Sequence, residues 1–408
     1  MPFKYDLGGT VVDTAGLTRV LERRYGEVCV DTVMLRSWNL SYLAGHAPVV
    51  SCALPGGEAE LGGCVWVFDC RLRVFPWLGV LSVDFTFTPG PGQEAPDPER
   101  FYDDLVVWKN QDYVPYLRRC DALSDSLDLR IPPEQRALTE DRHGAAVRDL
   151  RAAVAGFVEP RPFCYAFHDF RLCFLGTPEE LPDAVAGRLL WFAGPSPTTG
   201  GGIEPLGLGG LEVASSGWST VIRGARESIG TEADSVTMLL NLIHAQWYVC
   251  QLWINAHNLR GQGGGSGWQL ADPHVLSANR TALAHDLSEV DNLNVMLKDP
   301  GLLRVAEYLE TSLKVHRHRE AAMARLHALE DHSRQLADHR AEIELRRFQA
   351  LFAISAAAGV ASLVPALAQV GFTALHVVTT VTLLLGFLAL FAVDFTVVRR
   401  WWTRRRRP

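Results

Sequence analysis

Residues 348–393 read FQALFAISAAAGVASLVPALAQVGFTALHVVTTVTLLLGFLALFAV and contain no Lys, Arg, Asp or Glu. A helix needs about 20 apolar residues to cross the roughly 30 Å hydrocarbon core of a bilayer, so this run is long enough for two crossings. We therefore predict two transmembrane helices, at 348–368 and 375–398, joined by a short turn. The alternative is a buried helical hairpin of a water-soluble protein, which is disfavoured because neither segment has a polar face.

The predicted hairpin is flanked by basic residues at both ends. The positive-inside rule places both ends in the cytoplasm, where indole and guanidinium groups settle among the lipid headgroups. The predicted membrane-interface residues are Arg346, Arg347, Arg399, Arg400, Trp401 and Trp402. Because the chain opens MPFKYD without an apolar signal segment, we expect a multi-pass protein of the inner (plasma) membrane with both termini cytoplasmic.

Charge is unevenly distributed along the chain. The 408 residues include 39 Lys+Arg and 46 Asp+Glu, which gives a net charge of −7. Residues 346–408 carry eight Arg and one Asp, which leaves −14 for residues 1–345. An acidic body disfavours nucleic acid as a partner. The hydrophobic content of 48% excludes a disordered chain and predicts a large core.

Residues 302–358 contain no Gly or Pro and predict one long stalk helix that continues to about residue 368. Asp299 and Pro300 give its start signal, an N-cap followed by a proline in the first turn. The stalk carries an apolar stripe, which indicates lateral association with its own chain or with copies of itself. The stripe consists of Leu302, Val305, Leu309, Leu313, Met323, Leu326, Leu329, Leu336 and Ile343.

Five histidines also lie on the predicted stalk: His316, His318, His327, His332 and His339. A metal site or pH sensor is one interpretation, since histidine changes charge between pH 5 and 8. The favoured interpretation is solvated histidines on a helix surface, because no further ligands follow at fixed spacing.

Residues 1–230 are predicted to form a mixed α/β domain, because short β-branched and aromatic runs alternate with amphipathic helices. Predicted elements include the helix 14–25 and the strands 28–35, 49–53, 64–75, 79–88, 163–174 and 211–222. The segment 231–259 is apolar enough to be considered as a third span. Asn241, His244 and Gln246 interrupt it, so we favour a core helix. It opens a helical region, 231–347, in which the helices pack antiparallel.

The chain lacks a strong catalytic motif. Its eight Cys include no Cys-x-x-Cys pair, so a zinc framework is not expected. Cys164, His168 and Asp169 have nucleophile-like residue types, but alternation on a strand places Asp169 on the face opposite to the other two. We therefore favour strand packing and predict no enzyme.

Small and polar residues form a stripe on the first predicted span, in steps of three and four. Such a stripe either lines a pore within a ring of helices or permits close helix contact, and both alternatives stay open. The pore-lining candidates are Ser355, Gly359, Ser362, Ala366 and Gln369.

The chain resembles the CorA-type family of magnesium transporters in its predicted architecture. The most similar stretches are AEIELRRFQALFAI at 341–354 and RRWWTRRRR at 399–407. The Gly-Met-Asn motif of that family is replaced by AQVGF at 368–372. The resemblance implies a homo-oligomer, pentameric in that family, with the first spans around a pore. No cofactor is certain. The resemblance implies magnesium or another divalent cation, at residues that the sequence does not identify.

The expected fold is an α+β membrane protein. It combines an N-terminal α/β cytoplasmic domain (1–230), antiparallel helices with a very long stalk helix (231–347), a two-helix transmembrane hairpin (348–398) and a basic tail (399–408). The expected function is a homo-oligomeric CorA-like channel or transporter in the lipid bilayer, passing cations and gated by its cytoplasmic domain. The alternative is a membrane-anchored sensor or effector, of a bacterial defence or stress system, without ion-selective transport.

Overall fold

The structure is a computed structural model of the chain. It describes residues 2–30, 49–90, 104, 151–160, 168–190, 203–217, 219–262, 281, 282, 284, 286, 297, 299–370 and 381. The chain divides into two compact units, residues 1–330 and 331–408. The predicted domain boundaries after residues 230, 347 and 398 stay predictions.

The first unit holds the β structure. Its strands are β1 (Pro2–Asp6), β2 (Gly9–Val11), β3 (Val28–Val30), β4 (Val50–Leu61), β5 (Cys64–Phe75), β6 (Val80–Pro89), β7 (Val158–Pro160), β8 (His168–Phe170), β9 (Leu172–Gly176), β10 (Leu206–Leu208), β11 (Leu211–Ser215) and β12 (Ser219–Gly224). An antiparallel sheet has the order β3-β4-β5-β6-β1-β8, and a smaller sheet has the order β10-β11-β12-β9. In the smaller sheet β12 and β9 run parallel. A third pairing joins β2 and β7.

The helices with stated bounds are α1 (Thr14–Tyr25), α2 (Asp183–Leu190), α3 (Arg226–Gln262), α4 (Pro300–Leu313) and α5 (Val315–Val370). The predicted cap of the stalk is confirmed, because the Asp299 side chain accepts a hydrogen bond from the Leu302 N–H at 2.9 Å. The predicted unbroken stalk is wrong. It is interrupted at Lys314, where α4 ends and α5 begins.

Alternation along the strands gives the larger sheet two different faces. In β1, Phe3 and Tyr5 point into an apolar core that also contains Leu17 and Leu21 of α1. Lys4 and the other even-numbered positions of β1 point to the opposite face. A second apolar core includes Phe75 of β5 and buried residues of α3, α4 and the first turns of α5.

The apolar stripe of the stalk is divided between these regions. Leu302, Val305 and Leu309 of α4 are buried in the core built around α3, as is Leu326 of α5. This part of the stripe therefore packs against its own chain, one of the two alternatives that the sequence left open. Further along α5, Ile343 is 36% exposed.

The predicted membrane hairpin is corrected by the structure. Among the described residues, no helix combines the length and the apolar character that a membrane crossing requires. The prediction rested on a long uncharged run. Beyond Arg347, however, the side chains described in α5 extend only from Phe348 to Ala356, with Gly359. This stretch includes the polar residues Gln349 and Ser355.

The membrane class of the fold and the multi-pass inner-membrane localisation with cytoplasmic termini are corrected on the same ground. The CorA-like resemblance and the ion-transport function stay predictions. In the described residues the fold is mixed α/β, with mainly antiparallel sheets. The second predicted span, 375–398, lies outside the described residues apart from Val381.

Candidate functional site

A row of polar residues crosses the larger sheet on the face that α3 covers. Cross-strand neighbours in this row are Ser51 and Arg73, Arg73 and Ser82, Ser82 and Lys4, and Lys4 and Asp169. Directly opposed residues of neighbouring strands point to the same face, so the register alone brings these side chains together. Lys4, Ser51 and Ser82 are buried. Four strand pairings thus align these polar side chains in one row that α3 covers.

Five side chains of this region form what we call the polar cluster: Lys4, Arg73, Ser82, Asp84 and Asn241. The Lys4 ammonium donates to Ser82 Oγ at 2.9 Å and to the amide oxygen of Asn241 on α3. The Asn241 amide nitrogen donates to Asp84 Oδ2 at 2.8 Å. Ser82 and Arg73 also donate to the Asp84 carboxylate. Asn241 is therefore a bridge that joins α3 to both a cation and an anion of the sheet.

Burial shifts the pKa of Lys4. Desolvation lowers the pKa of the Lys4 ammonium well below its usual range, and the positive charge of Arg73 lowers it further. The Asp169 carboxylate opposes this shift. The Lys4 ammonium also lies 4.8 Å from the centre of the Phe75 ring, which favours the charged form. The pKa of Lys4 is thus lowered mainly by burial, with smaller effects from Arg73 and Asp169 of the sheet.

A buried histidine of α3 reaches the end of the same row. His244 Nε2 lies 2.7 Å from Asp169 Oδ2. An ionised carboxylate only accepts hydrogen bonds, so Nε2 is the donor and Nδ1 is the unprotonated nitrogen of the neutral ring. His244 Nδ1 is buried and has no hydrogen-bond partner in the described part of the chain. Burial lowers the pKa of His244 to about 4, although the hydrogen bond to Asp169 raises it.

Arg171, next to Asp169, is a further buried cation and holds the β11–β12 turn. Its guanidinium donates to Ser215 Oγ at 2.6 Å, to the Gly217 carbonyl at 3.0 Å and to Thr220 Oγ1. Desolvation lowers the pKa of Arg171 to about 10. Because its donors are used by the protein itself, Arg171 is built into the turn as a structural part.

These contacts form a closed, charge-bearing network at the interface of α3 with the larger sheet. Asp84 accepts from Ser82, Arg73 and Asn241, and Lys4 donates to Ser82 and Asn241. A buried network of this kind fixes how a helix lies on a sheet, because removing one partner leaves a desolvated charge. In the described residues, no group of three His, Cys, Asp or Glu side chains could hold a metal ion. The predicted magnesium or other divalent cation stays a prediction.

The pore-lining candidates all lie beyond residue 350 of α5 or at its end. Ser355 and Gly359 are exposed, and a Cβ atom built on Gly359 would meet no atom within 4 Å. Ser362, Ala366 and Gln369 lie in the helical backbone of α5, but their side chains are outside the described set. The structure therefore places the first two on an open helix surface.

The predicted interface residues are only partly described. Arg346 donates to Glu342 one helical turn earlier, and Arg347 is exposed. The remaining four, Arg399, Arg400, Trp401 and Trp402, lie outside the described residues.

The exposed part of α5 carries large apolar side chains. Leu345, Phe348 and Phe352 are 58%, 70% and 77% exposed. With Ser355 and Gly359 they follow one another in alternating steps of three and four, the spacing of a helix contact face. We call these five residues the α5 seam. Two pore-lining candidates, Ser355 and Gly359, belong to this seam, and the other three continue its spacing along the sequence.

The polar cluster was missed by motif analysis, because its members are spread from residue 4 to residue 241. A weak signal was nonetheless present. Lys4 interrupts the apolar PFKYD strand, and Ser82 and Asp84 alternate with Leu81, Val83 and Phe85. Of the nucleophile-like set, Cys164 lies outside the described residues, whereas His168 and Asp169 occupy β8. Asp169 pairs with His244.

Comparison with known proteins gives no relative of this chain: no family model, curated protein or solved structure matches it.

Proposed function

We propose that the protein acts as a homo-oligomeric sensor or effector, in which copies associate through the α5 seam and the α/β unit responds to a partner. The observation that carries the proposal is the exposure of α5. From residue 337 to residue 350 every side chain is exposed except Arg346, which is half-buried. The side chains of this segment of α5 are thus largely exposed.

A solvated helix of this kind has little to stabilise it. Helices in proteins gain most of their stability by packing an apolar face, and not from intrinsic propensity. Contiguous apolar surface on a protein usually marks an interaction site. Burying one phenylalanine is worth about 1.5–3 kcal/mol, so covering Phe348 and Phe352 would supply a substantial driving force.

A second copy of the chain fits the seam best. Residues in steps of three and four form a self-complementary contact when two helices run parallel and in register, since each residue then meets its own counterpart. The large side chains Leu345, Phe348 and Phe352 supply apolar area. The small residues Ser355 and Gly359 allow the backbones to approach closely. The Glu342 to Arg346 ion pair stays within one helix and leaves the seam free of charge.

The test is a measurement of the native mass of the full chain. A double variant, Phe348→Glu with Phe352→Glu, is compared with the wild type. The matched control is the single variant Ile354→Glu. Ile354 is 63% exposed on the same helix but lies off the seam. We expect an oligomer for the wild type and the control. The double variant should dissociate, with a dissociation constant raised at least about 100-fold, which corresponds to roughly 2.7 kcal/mol.

Three outcomes would overturn the proposal. One is a monomeric wild type over the micromolar range. Another is equal dissociation of the Ile354→Glu control, which would show that the seam has no special role. The third is recovery of the full chain only from the lipid fraction of a lysate, because the exposed face would then bind lipid and not a second copy.

A further inference from the structure

The spacing of the α5 seam continues toward the start of the helix into charged residues. Counting back from Leu345 in the same alternating steps of four and three gives Ala341, Asp338, Arg334 and Asp331. All four lie in α5 and have exposed side chains. They belong, with the α5 seam, to the second compact unit of the chain. One face of this helix therefore has an apolar half and a charged half, in which an acid, a base and an acid alternate.

The charged half has no ionic partner within its own chain. Asp331, Arg334 and Asp338 make no side-chain hydrogen bond or ion pair with the residues that the structure describes. Arg334 has an acid three residues before it and another four residues after it, the spacings at which pairs form within one helix. It pairs with neither, whereas Arg346, which lies off the seam, pairs with Glu342 one turn earlier. The charges on the seam are therefore available to another chain.

A parallel, in-register contact brings these charges together between copies. Each residue of the seam then forms one layer with its counterpart, and the Arg334 layer lies between the Asp331 and Asp338 layers. Long side chains on a helix lean toward its N-terminus, so the Arg334 guanidinium of one copy is directed toward Asp331 of the second copy. An antiparallel contact that buries the apolar half against itself places the charges at the opposite end of the seam. The alternation of charge is thus complementary to itself only in the parallel arrangement.

We propose that Asp331, Arg334 and Asp338 fix the parallel orientation and the register in which copies of the chain associate, because each Arg334 pairs with acids of the neighbouring copy. This inference rests on the proposed association through the α5 seam and adds the feature that selects the partner. The acids outnumber the base, so the charged half weakens the contact while it specifies the register, as polar layers do in coiled coils.

The apolar half does not specify the register by itself. A slip of one heptad places Leu345 against Phe352, which still buries two apolar side chains. The same slip places Asp338 against Leu345, where the carboxylate loses water and gains no cation. The charged half therefore penalises the wrong register.

The test mixes two full-length variants of opposite charge. Arg334→Glu, the acidic variant, replaces the base of the charged half, and the double variant Asp331→Lys with Asp338→Lys, the basic variant, replaces its acids. Each variant alone brings like charges together in all three layers. We expect the dissociation constant of each to rise about 100-fold or more, because like charges at a contact strongly disfavour association.

An equimolar mixture of the acidic and basic variants should associate at least as tightly as the wild type, since acid then faces base in every layer. Native mass spectrometry measures this directly, because the two variants differ in mass and mixed assemblies are distinguished from assemblies of one variant. The substituted side chains are exposed, so the urea unfolding midpoint of each variant should match that of the dissociated wild type.

Arg347→Glu is the matched control, because Arg347 is exposed on the same helix but lies off the seam. It changes the net charge as much as Arg334→Glu does and should associate with wild-type affinity. An equal loss of association in this control would overturn the inference, because net charge and not the charged half would then decide the result. Wild-type association of the acidic and basic variants alone, or a mixture that stays dissociated, would also overturn it.

The outcome also separates this inference from the proposed function. A monomeric wild type overturns both. If the wild type associates and the Phe348→Glu, Phe352→Glu variant dissociates, the association through the seam stands. Failure of the mixture to recover association then overturns only the role of the charged half.

Discussion

The helices α3 and α5 differ in how their composition relates to their burial. α3 contains Asn241, His244 and Gln246, and yet it is buried in the larger apolar core. α5 enters the longest uncharged run of the chain, and yet its described side chains from 337 to 350 lie in solvent. The difference shows that burial depends on whether a facing surface supplies partners. The sheet offers Asp84 and Asp169 to α3.

Asp84→Ala should give the largest effect, because it breaks the polar cluster that anchors α3. The substitution removes the carboxylate that accepts from Arg73, Ser82 and Asn241. Removing one partner of a buried ion pair costs about 3–5 kcal/mol in the free energy of unfolding. Denaturant unfolding of the full chain measures it. The control is Asp69→Ala, at an exposed position of the neighbouring strand β5, which should cost less than about 0.5 kcal/mol. Similar losses for the two variants would show that the cluster does not anchor α3.

A leucine-to-alanine pair compares the two helices directly. Leu239 of α3 is fully buried, whereas Leu351 of α5 is 61% exposed. Leu239→Ala should lower the free energy of unfolding by about 2–5 kcal/mol, because it removes transfer energy and leaves a cavity. Leu351→Ala should change the stability of the dissociated chain by less than about 0.5 kcal/mol. A large loss at Leu351 would mean that this part of α5 is covered in solution.

Much of the local structure could be predicted from the sequence. The helix 14–25 and the strand 64–75 have the predicted bounds, because each carries a regular apolar period between turn residues. The predicted strand 211–222 is instead a hairpin, β11 and β12, since Ser216 and Gly217 turn the chain. The strand β1 was not predicted. Its five residues depend on pairing with β6 and β8, which are distant in sequence.

The candidate site was less predictable than the fold. Lys4 and Asp169 are cross-strand neighbours only in the folded sheet, and Asn241 reaches Lys4 from a helix more than 200 residues later. No local spacing encodes such a cluster. Two residues of the α5 seam, Ser355 and Gly359, were in contrast visible as part of a periodic stripe, because they lie on one helix. The sequence could not show which surface the stripe contacts, because periodicity identifies a helix face but not its partner.

The pH dependence of stability tests whether α3 needs a neutral histidine at the sheet. The unfolded chain protonates His244 near its ordinary pKa of 6.5, but burial holds the folded-state pKa at about 4. The unfolded state therefore binds more protons in this window, and the free energy of unfolding falls as the pH falls. From pH 6.5 to pH 5 the loss due to His244 is about 2 kcal/mol, at about 1.4 kcal/mol per pKa unit.

His244→Gln should remove this part of the slope, because the glutamine amide can still donate to Asp169 but cannot take up a proton. The measurement is urea unfolding of both proteins at several pH values between 7 and 5. The variant is expected to start less stable at pH 7 and to approach the wild type as the pH falls. Carboxylates elsewhere titrate in both proteins and cancel in the difference. Parallel curves of unfolding free energy against pH would mean that His244 is not held neutral in the folded protein. The burial of α3 would then be explained by Asn241 and the polar cluster alone.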